Sequence, residues 1–472
     1  MKRTFIQALL IIACSYFVHA QQYDITVKPA GNKDTMLYLG RHYCDELQIL
    51  DSARRTASGS YRFRGTAPMK RGIYALVGQN RKKVLTDFII DGRTTCTISG
   101  DSILSAESLK VRGSDANSRM FNYMAVEKQA KQEMDDIQKR KKAGDPKAND
   151  DEDALFKRMT AFETAERDPK HKNVYLDLVR ICEPPTVPDT VSDKRAYYLF
   201  HYWDNLFDSD ARSMSDVLLY SPQLFSKMNY YFFGLYYDVY NNNVDTVCAA
   251  LDRLMDNIGD DTAMRRYVLE FITPRYFRST RNIGWDAVWC HIAEKYYLAD
   301  KCPWALPGTL HNMRFNYNKI RQSIIGAHGQ ELWMADTNQS NDPKDWISSH
   351  RFPQRYVILW FWDPDCGHCQ KYSSELKAIY DSLLTAPDRR FEVYAVGYES
   401  DVDKWKKYVR EHDFRWVNVG GTNVNIDYQE AYNVHGAPTM IILDENRDII
   451  MNKVIPMNNL LRFLDDHEKR MK

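Results

Sequence analysis

The sequence predicts a multidomain chain: an antiparallel, sandwich-like β domain, then an all-α domain, then an α/β domain at the C-terminus. Three observations carry this. Short alternating apolar runs cut by turn residues fill Tyr23 to about Gly113, helical spacing takes over after Gly113, and from about Ile325 strands and helices alternate around Cys366 and Cys369. The 472 residues leave room for roughly three domains of about 150 residues each. The boundaries read as 1–20 for a leader, 21–113 for the β domain, 114–325 for the helical domain and 326–472 for the last.

The first twenty residues carry Lys2 and Arg3, an apolar stretch from Phe5 to about Phe17, and Val18-His19-Ala20 ahead of Gln21. This is the pattern of a signal peptide; a membrane anchor would need a longer apolar run. Ile11-Ile12-Ala13-Cys14 also resembles a lipobox, which would make Cys14 a lipid anchor, although the apolar run continues past it. Either way the mature protein is expected in the periplasm or cell envelope. With 64 Lys and Arg against 63 Asp and Glu, bulk charge gives no reason to expect nucleic acid as a partner. The basic tract Lys139–Lys142 is followed by acids and reads as a solvated linker or helix end.

In the β domain, Tyr61–Arg64 and Ile73–Val77 alternate apolar with polar or small residues, which predicts one buried and one wet face. Cys44 and Cys96 both fall here. A disulfide between them is open to an exported protein, but two unpaired core thiols fit better. The stretch from Asn117 to Glu166 is charged and broken near Gly144–Pro146, as two exposed helices would be. Further on, Val247, Leu251, Leu254 and Ile258 recur at helical spacing, with Asn243 or Asp245 able to cap that helix. The aromatic stripe Tyr230–Tyr240 reads as packed core rather than a peptide groove. His291 and His311 have no ligand-like spacing, and neither region holds a phosphate loop or a Gly-x-Ser-x-Gly motif.

The chemistry lies in VILWFWDPDCGHC. A strand ending at Trp362 is broken by Asp363 and Pro364, and Leu376, Ile379, Tyr380 and Leu383 then follow helical spacing. Cys366 therefore sits at a helix N-terminus. Free N–H groups and the helix dipole favour negative charge there, so its thiol is expected to ionise below the usual value of about 8.5. Cys369 falls one turn further in. A CxxC within alternating strands and helices is what a thioredoxin-like fold requires.

The WFWDPDCGHC motif, the Gly436-Ala437-Pro438-Thr439 segment before a buried strand, and the strand-helix insert between them resemble the TlpA/ResA-like branch of the thioredoxin superfamily. The likeness covers roughly the last 145 residues. The β and helical regions resemble uncharacterised partners of such modules in exported bacterial proteins. The resemblance implies a thiol-disulfide oxidoreductase needing no cofactor beyond a redox-active Cys366–Cys369 disulfide. Cys366 would attack, Cys369 would resolve, and Pro438 would be a cis-proline whose loop, with Ala437, Thr439 and Trp362, borders the substrate. Its partners would be exported protein thiols and disulfides and a further redox protein.

Several positions depart from the family pattern. Asp365, where Trp is frequent, places a negative charge beside the nucleophile and would oppose its ionisation. Trp360 and Tyr372 stand where relatives carry acids, and Ser374 replaces a helix proline; Glu375 or a water is a candidate proton acceptor instead. His368 gives the CGHC of disulfide isomerases and would favour the reduced form. Two other readings compete: a metal-binding module using Cys366, Cys369 and His368 or His435, and a non-enzymatic envelope protein with a docking domain. A closed zinc site wants a second ligand pair, and no second CxxC exists.

Overall fold

The computed structural model describes residues 23–92, 94–166, 174–207, 214–235, 244–278, 283–384, 389–398 and 401–471. The leader, Cys14, Asn243 and the 236–240 end of the aromatic stripe lie outside them. The chain divides into two units at Tyr230/Tyr231, so the helical stretch falls on both sides of the division.

In the first unit, eight strands form two four-stranded sheets: β1 (Tyr23–Pro29), β2 (Met36–Tyr43), β3 (Glu46–Arg54), β4 (Tyr61–Gly65), β5 (Gly72–Val77), β6 (Val84–Ile90), β7 (Thr94–Gly100) and β8 (Lys110–Arg112). The orders are β4-β1-β7-β8 and β3-β2-β5-β6. Pairing is antiparallel except between β1 and β7, which run parallel. Strand β4 alternates as its sequence predicts, with Tyr61 and Phe63 buried and Arg62 and Arg64 exposed. Strand β5 does not: all six of its residues are buried, where Ile73–Val77 was expected to keep one wet face. It lies inside its sheet between β2 and β6, and its outer side is closed by the chain at Tyr220, whose carbonyl accepts the Ile73 N–H at 2.8 Å.

Among the described residues, six α-helices complete this unit: α1 (Asp115–Lys142), α2 (Ala148–Glu166), α3 (Val174–Cys182), α4 (Lys194–His201), α5 (Ser215–Leu219) and α6 (Pro222–Tyr230). Ser114 caps α1 by accepting the Asn117 N–H. The basic tract is a helix end: Lys139–Lys142 form the last turn of α1, where cations oppose the negative pole of the helix. Arg140 pairs there with Asp145 and Asp151.

The second unit opens with α7 (Val244–Ile258), α8 (Thr262–Arg278), α9 (Trp285–Ile292) and α10 (Pro307–Ile320). In α7 the four residues at helical spacing, Val247, Leu251, Leu254 and Ile258, are all buried. A seven-stranded sheet follows, ordered β10-β9-β13-β12-β11-β14-β15. It is built from β9 (Trp333–Asp336), β10 (Ile347–Ser348), β11 (Tyr356–Trp362), β12 (Phe391–Gly397), β13 (Val417–Val424), β14 (Thr439–Leu443) and β15 (Ile449–Met451). Interleaved with these are α11 (Gly367–Leu383), α12 (Val402–Glu411), α13 (Tyr428–Ala431) and α14 (Leu460–Met471). Strands β11, β12 and β13 are parallel; β14 and β15 add antiparallel on one side, β9 and β10 on the other. Strands β9 and β10 were not legible, being only four and two residues long.

Every residue of β11 is buried. Its period of two sends Tyr356, Ile358, Trp360 and Trp362 into one core and Val357, Leu359 and Phe361 into another. The segment leading into α9 joins the first of these cores through Ile283, and Asn452 donates to Asp286 at 2.6 Å and to the Ser323 carbonyl at 2.9 Å.

Helix α12 is anchored by Trp405, which is 1% exposed. Glycines make its room: a Cβ on Gly397 would lie 3.0 Å from the indole, and one on Gly420 3.4 Å from it. Removing the indole leaves a cavity that this backbone cannot close. Trp405→Ala should therefore cost about 3–5 kcal/mol, read as a shift of the unit's denaturant transition to lower concentration with α12 loosened in hydrogen exchange. An unchanged midpoint would refute the assignment of Trp405 as the anchor.

Candidate active site

Strand β11 delivers the chain to the surface at Trp362, and a tight turn reverses it into α11. Asp363 builds that turn: its carbonyl accepts the Cys366 N–H at 3.2 Å and its carboxylate accepts the Asp365 N–H at 2.6 Å. Cys366 is then the N-cap residue of α11, with extended backbone (φ −89°, ψ 111°). Its sulfur accepts the Cys369 N–H at 3.3 Å, the bond that a serine or aspartate side chain makes at other helix starts. Gln370 closes the first turn by donating to the Pro364 carbonyl at 2.8 Å.

The two thiols sit in different surroundings. Cys366 is half-buried, whereas Cys369 is buried under the first turn. Burial, reinforced by the hydrogen bond with Cys366, pushes the Cys369 thiol up to about 12; a backbone hydrogen bond from Asp363 works the other way. At neutral pH Cys369 therefore stays protonated. Both are free thiols in this structure.

The Ala437–Pro438 peptide is cis, as the resemblance implied, and the Ala437 carbonyl stands 3.6 Å from the Cys366 sulfur. The Thr439 hydroxyl donates to the Gly436 carbonyl at 2.7 Å and ties this loop to itself. The structure thus brings Cys366, Cys369, Ala437 and Pro438 together. His368 is exposed on the first turn of α11 and makes no hydrogen bond among the described residues.

Two expectations need correction. Trp362, expected beside the substrate, is fully buried against Tyr408 and Phe414, each with its ring centre 5.5 Å away, so it supports the site from below. The second concerns setting only: Glu375, a candidate proton acceptor, is exposed on α11. The Trp360 indole N–H donates to the Ser373 hydroxyl at 2.9 Å, both side chains being buried.

Sequence reasoning missed Lys404. It lies on α12 and forms an ion pair with Asp365, so the carboxylate in the loop before Cys366 has a counterion. The amphipathic spacing of Trp405 and Val409 announces the helix, but not which of Lys404, Lys406 and Lys407 reaches the loop before Cys366. Tyr408 of the same helix lies with its ring 7° from parallel to that of His412, at 3.8 Å.

Outside this site, burial pushes the thiols of Cys96 and Cys182 up to about 11 and those of Cys248 and Cys302 up to about 12. His291 lies 2.8 Å from Asp252 and ties α9 to α7. Among the described residues no group of three or more Cys, His, Asp or Glu is placed to hold a metal ion.

Residues 354–449 match the family model described as thioredoxin-like. A domain of a possible thiol-disulfide isomerase from Cytophaga hutchinsonii ATCC 33406 is 30% identical over 31% of this chain and 95% of that one, with a TM-score of 0.27. Through this domain the chain belongs to the thioredoxin-like proteins. A thioredoxin-like protein from Bacteroides caccae ATCC 43185 is similar at 16% identity over 60% of this chain and 98% of that one, with a TM-score of 0.45. A thiol-disulfide oxidoreductase from Bacteroides fragilis NCTC 9343 is similar at 18% identity over 31% and 99% of the two chains, with a TM-score of 0.24. No curated protein matches the chain.

The ion pair yields a test. Lys404→Gln should slow alkylation of Cys366 by iodoacetamide at pH 6 about twofold to fivefold, the range of exposed charge pairs. Asp365→Asn should speed it, and adding Lys404→Gln to Asp365→Asn should change it little. Strictly additive effects of the two substitutions would show that Lys404 does not act through Asp365.

Proposed function

We propose that this protein is an exported thiol-disulfide oxidoreductase of the cell envelope. The observation that carries the reading is the asymmetry of one thiol pair: the Cys366 sulfur is open at a helix start beside the cis-proline loop, and Cys369 is buried one turn behind it. The first thiol is placed to meet a substrate and the second to meet only what the first has bound.

In the reducing direction, the Cys366 thiolate attacks one sulfur of a substrate disulfide. The substrate S–S bond breaks, a mixed disulfide forms, and the leaving thiolate takes up a proton. Cys369 then loses its proton and attacks Cys366, which breaks the mixed disulfide and releases the second substrate thiol. A disulfide and the two enzyme thiols become two substrate thiols and a Cys366–Cys369 disulfide. The oxidising direction is the reverse, and a partner redox protein restores the starting state. No cofactor beyond the two cysteines is required.

The first twenty residues support export, and an oxidising compartment supplies such a pair with substrates. The substrates are exported proteins with exchangeable cysteines, and the exposed His368 is placed to stabilise the reduced form.

The cysteine roles are separable. Cys369→Ser should accumulate mixed disulfides with substrate proteins, seen on non-reducing gels and dissolved by dithiothreitol, whereas Cys366→Ser should capture none. Accumulation in Cys366→Ser instead would reverse the roles, and capture by neither variant would remove the exchange reading.

A further inference from the structure

A second feature opens at the same end of the sheet as the thiols. Strands β11 and β12 are parallel and in register, Trp362 opposite Gly397, so the chain leaves β12 where β11 hands over to Cys366. The next residue is Tyr398, whose N–H donates to the Trp362 carbonyl at 2.8 Å. Tyr398 is one wall of a cleft of about 370 Å³ whose other walls include Asp427, Glu430, Asn433 and His435 from the segment that runs into the cis-proline loop. His435 is two residues before Ala437, the residue whose carbonyl faces Cys366. The last wall comes from the helices: Lys319, in the final turn of α10.

The lining is polar, and its charges are unequal. Asp427 and Glu430 contribute two carboxylates and Lys319 one ammonium. Asp427 accepts the Gln429 and Glu430 N–H groups at 2.9 and 3.2 Å and so is held as the cap of α13. Lys319 is drawn toward its own helix, with its nitrogen 4.7 Å from the Phe315 ring centre. The exposed Glu430 carboxylate makes no hydrogen bond or ion pair among the described residues. The cleft thus lies on the segment that runs into the cis-proline loop, its lining residue His435 two residues ahead of the carbonyl that faces Cys366.

We infer that the cleft is a side-chain subsite for the substrate polypeptide, selecting a basic residue close to its reactive cysteine, and that α10 completes it through Lys319. This rests on the exchange reaction proposed above and adds a substrate preference to it. It also gives the helices of the second unit a part in recognition.

The test uses the full chain in its reduced form and two peptides, each with one glutathionylated cysteine, identical except for Lys or Glu flanking that cysteine. Each turnover converts the peptide–glutathione disulfide and the enzyme dithiol into peptide thiol, glutathione and enzyme disulfide. Hydroxyethyl disulfide, too small to fill the cleft, serves as reference. The Lys peptide should exceed the Glu peptide in the second-order rate constant for oxidising the reduced enzyme by about twofold to fivefold, as exposed charge pairs allow. Glu430→Lys should abolish or invert that ratio, and Lys319→Glu should raise it. An equal rate for the two peptides, or a ratio unmoved by both substitutions while hydroxyethyl disulfide still reacts, overturns the subsite and leaves the redox reading intact. Failure of peptides and hydroxyethyl disulfide alike overturns both.

Discussion

Burial of β11 on both faces is the constraint on which the rest of the second unit depends. Seven successive apolar and aromatic residues leave no side of the strand that water can reach, so the sheet must carry helices and loops on each face. The strand ends where that burial ends. Asp363 and Pro364 break it, the chain emerges, and the first residue of the new helix start is Cys366. The reactive thiol is placed by a strand that cannot shift register without exposing tryptophans on one face and phenylalanine on the other.

From that point the chemistry follows from depth. The Cys366 sulfur takes the position of a helix cap, where an N–H group and the helix dipole meet it. Cys369, three residues on, has turned under the helix into the core that holds Trp360 and Leu376. One helical turn thus separates a half-buried cysteine from a fully buried one, and the Ala437 carbonyl stands beside the first. The Trp360 indole and the Ser373 hydroxyl pair in the interior, and the charged groups near Cys366 stand in the loop before it, at Asp363 and Asp365, and on α12, at Lys404.

Much of this was legible because it is local. The strand before Cys366 and the helix after it are written in an unbroken apolar run and a 3.6-residue period within short windows. The cis geometry at Pro438 came with the motif it resembles. What was not legible depends on distance in sequence. Strand β5 reads as half-wet until Tyr220 covers it, and Trp362 reads as a substrate contact until Tyr408 and Phe414 close over it. Lys404 pairs with a residue 39 positions away, and no spacing in α12 singles it out from two neighbouring lysines. The helical stretch gave no sign that its second part shares a core with the sheet through Ile283.

The central claim is that Cys366 and Cys369 form one two-electron couple. Equilibrating the protein against defined ratios of reduced and oxidised glutathione, and counting the two thiols by mass, measures it most directly. A single transition that joins these two cysteines is predicted, closer to the isomerase value of about −180 mV than to thioredoxin's value of about −270 mV. Contradiction would come from a pair that stays reduced at every poise, or from one whose transition lies below about −300 mV, where structural disulfides fall.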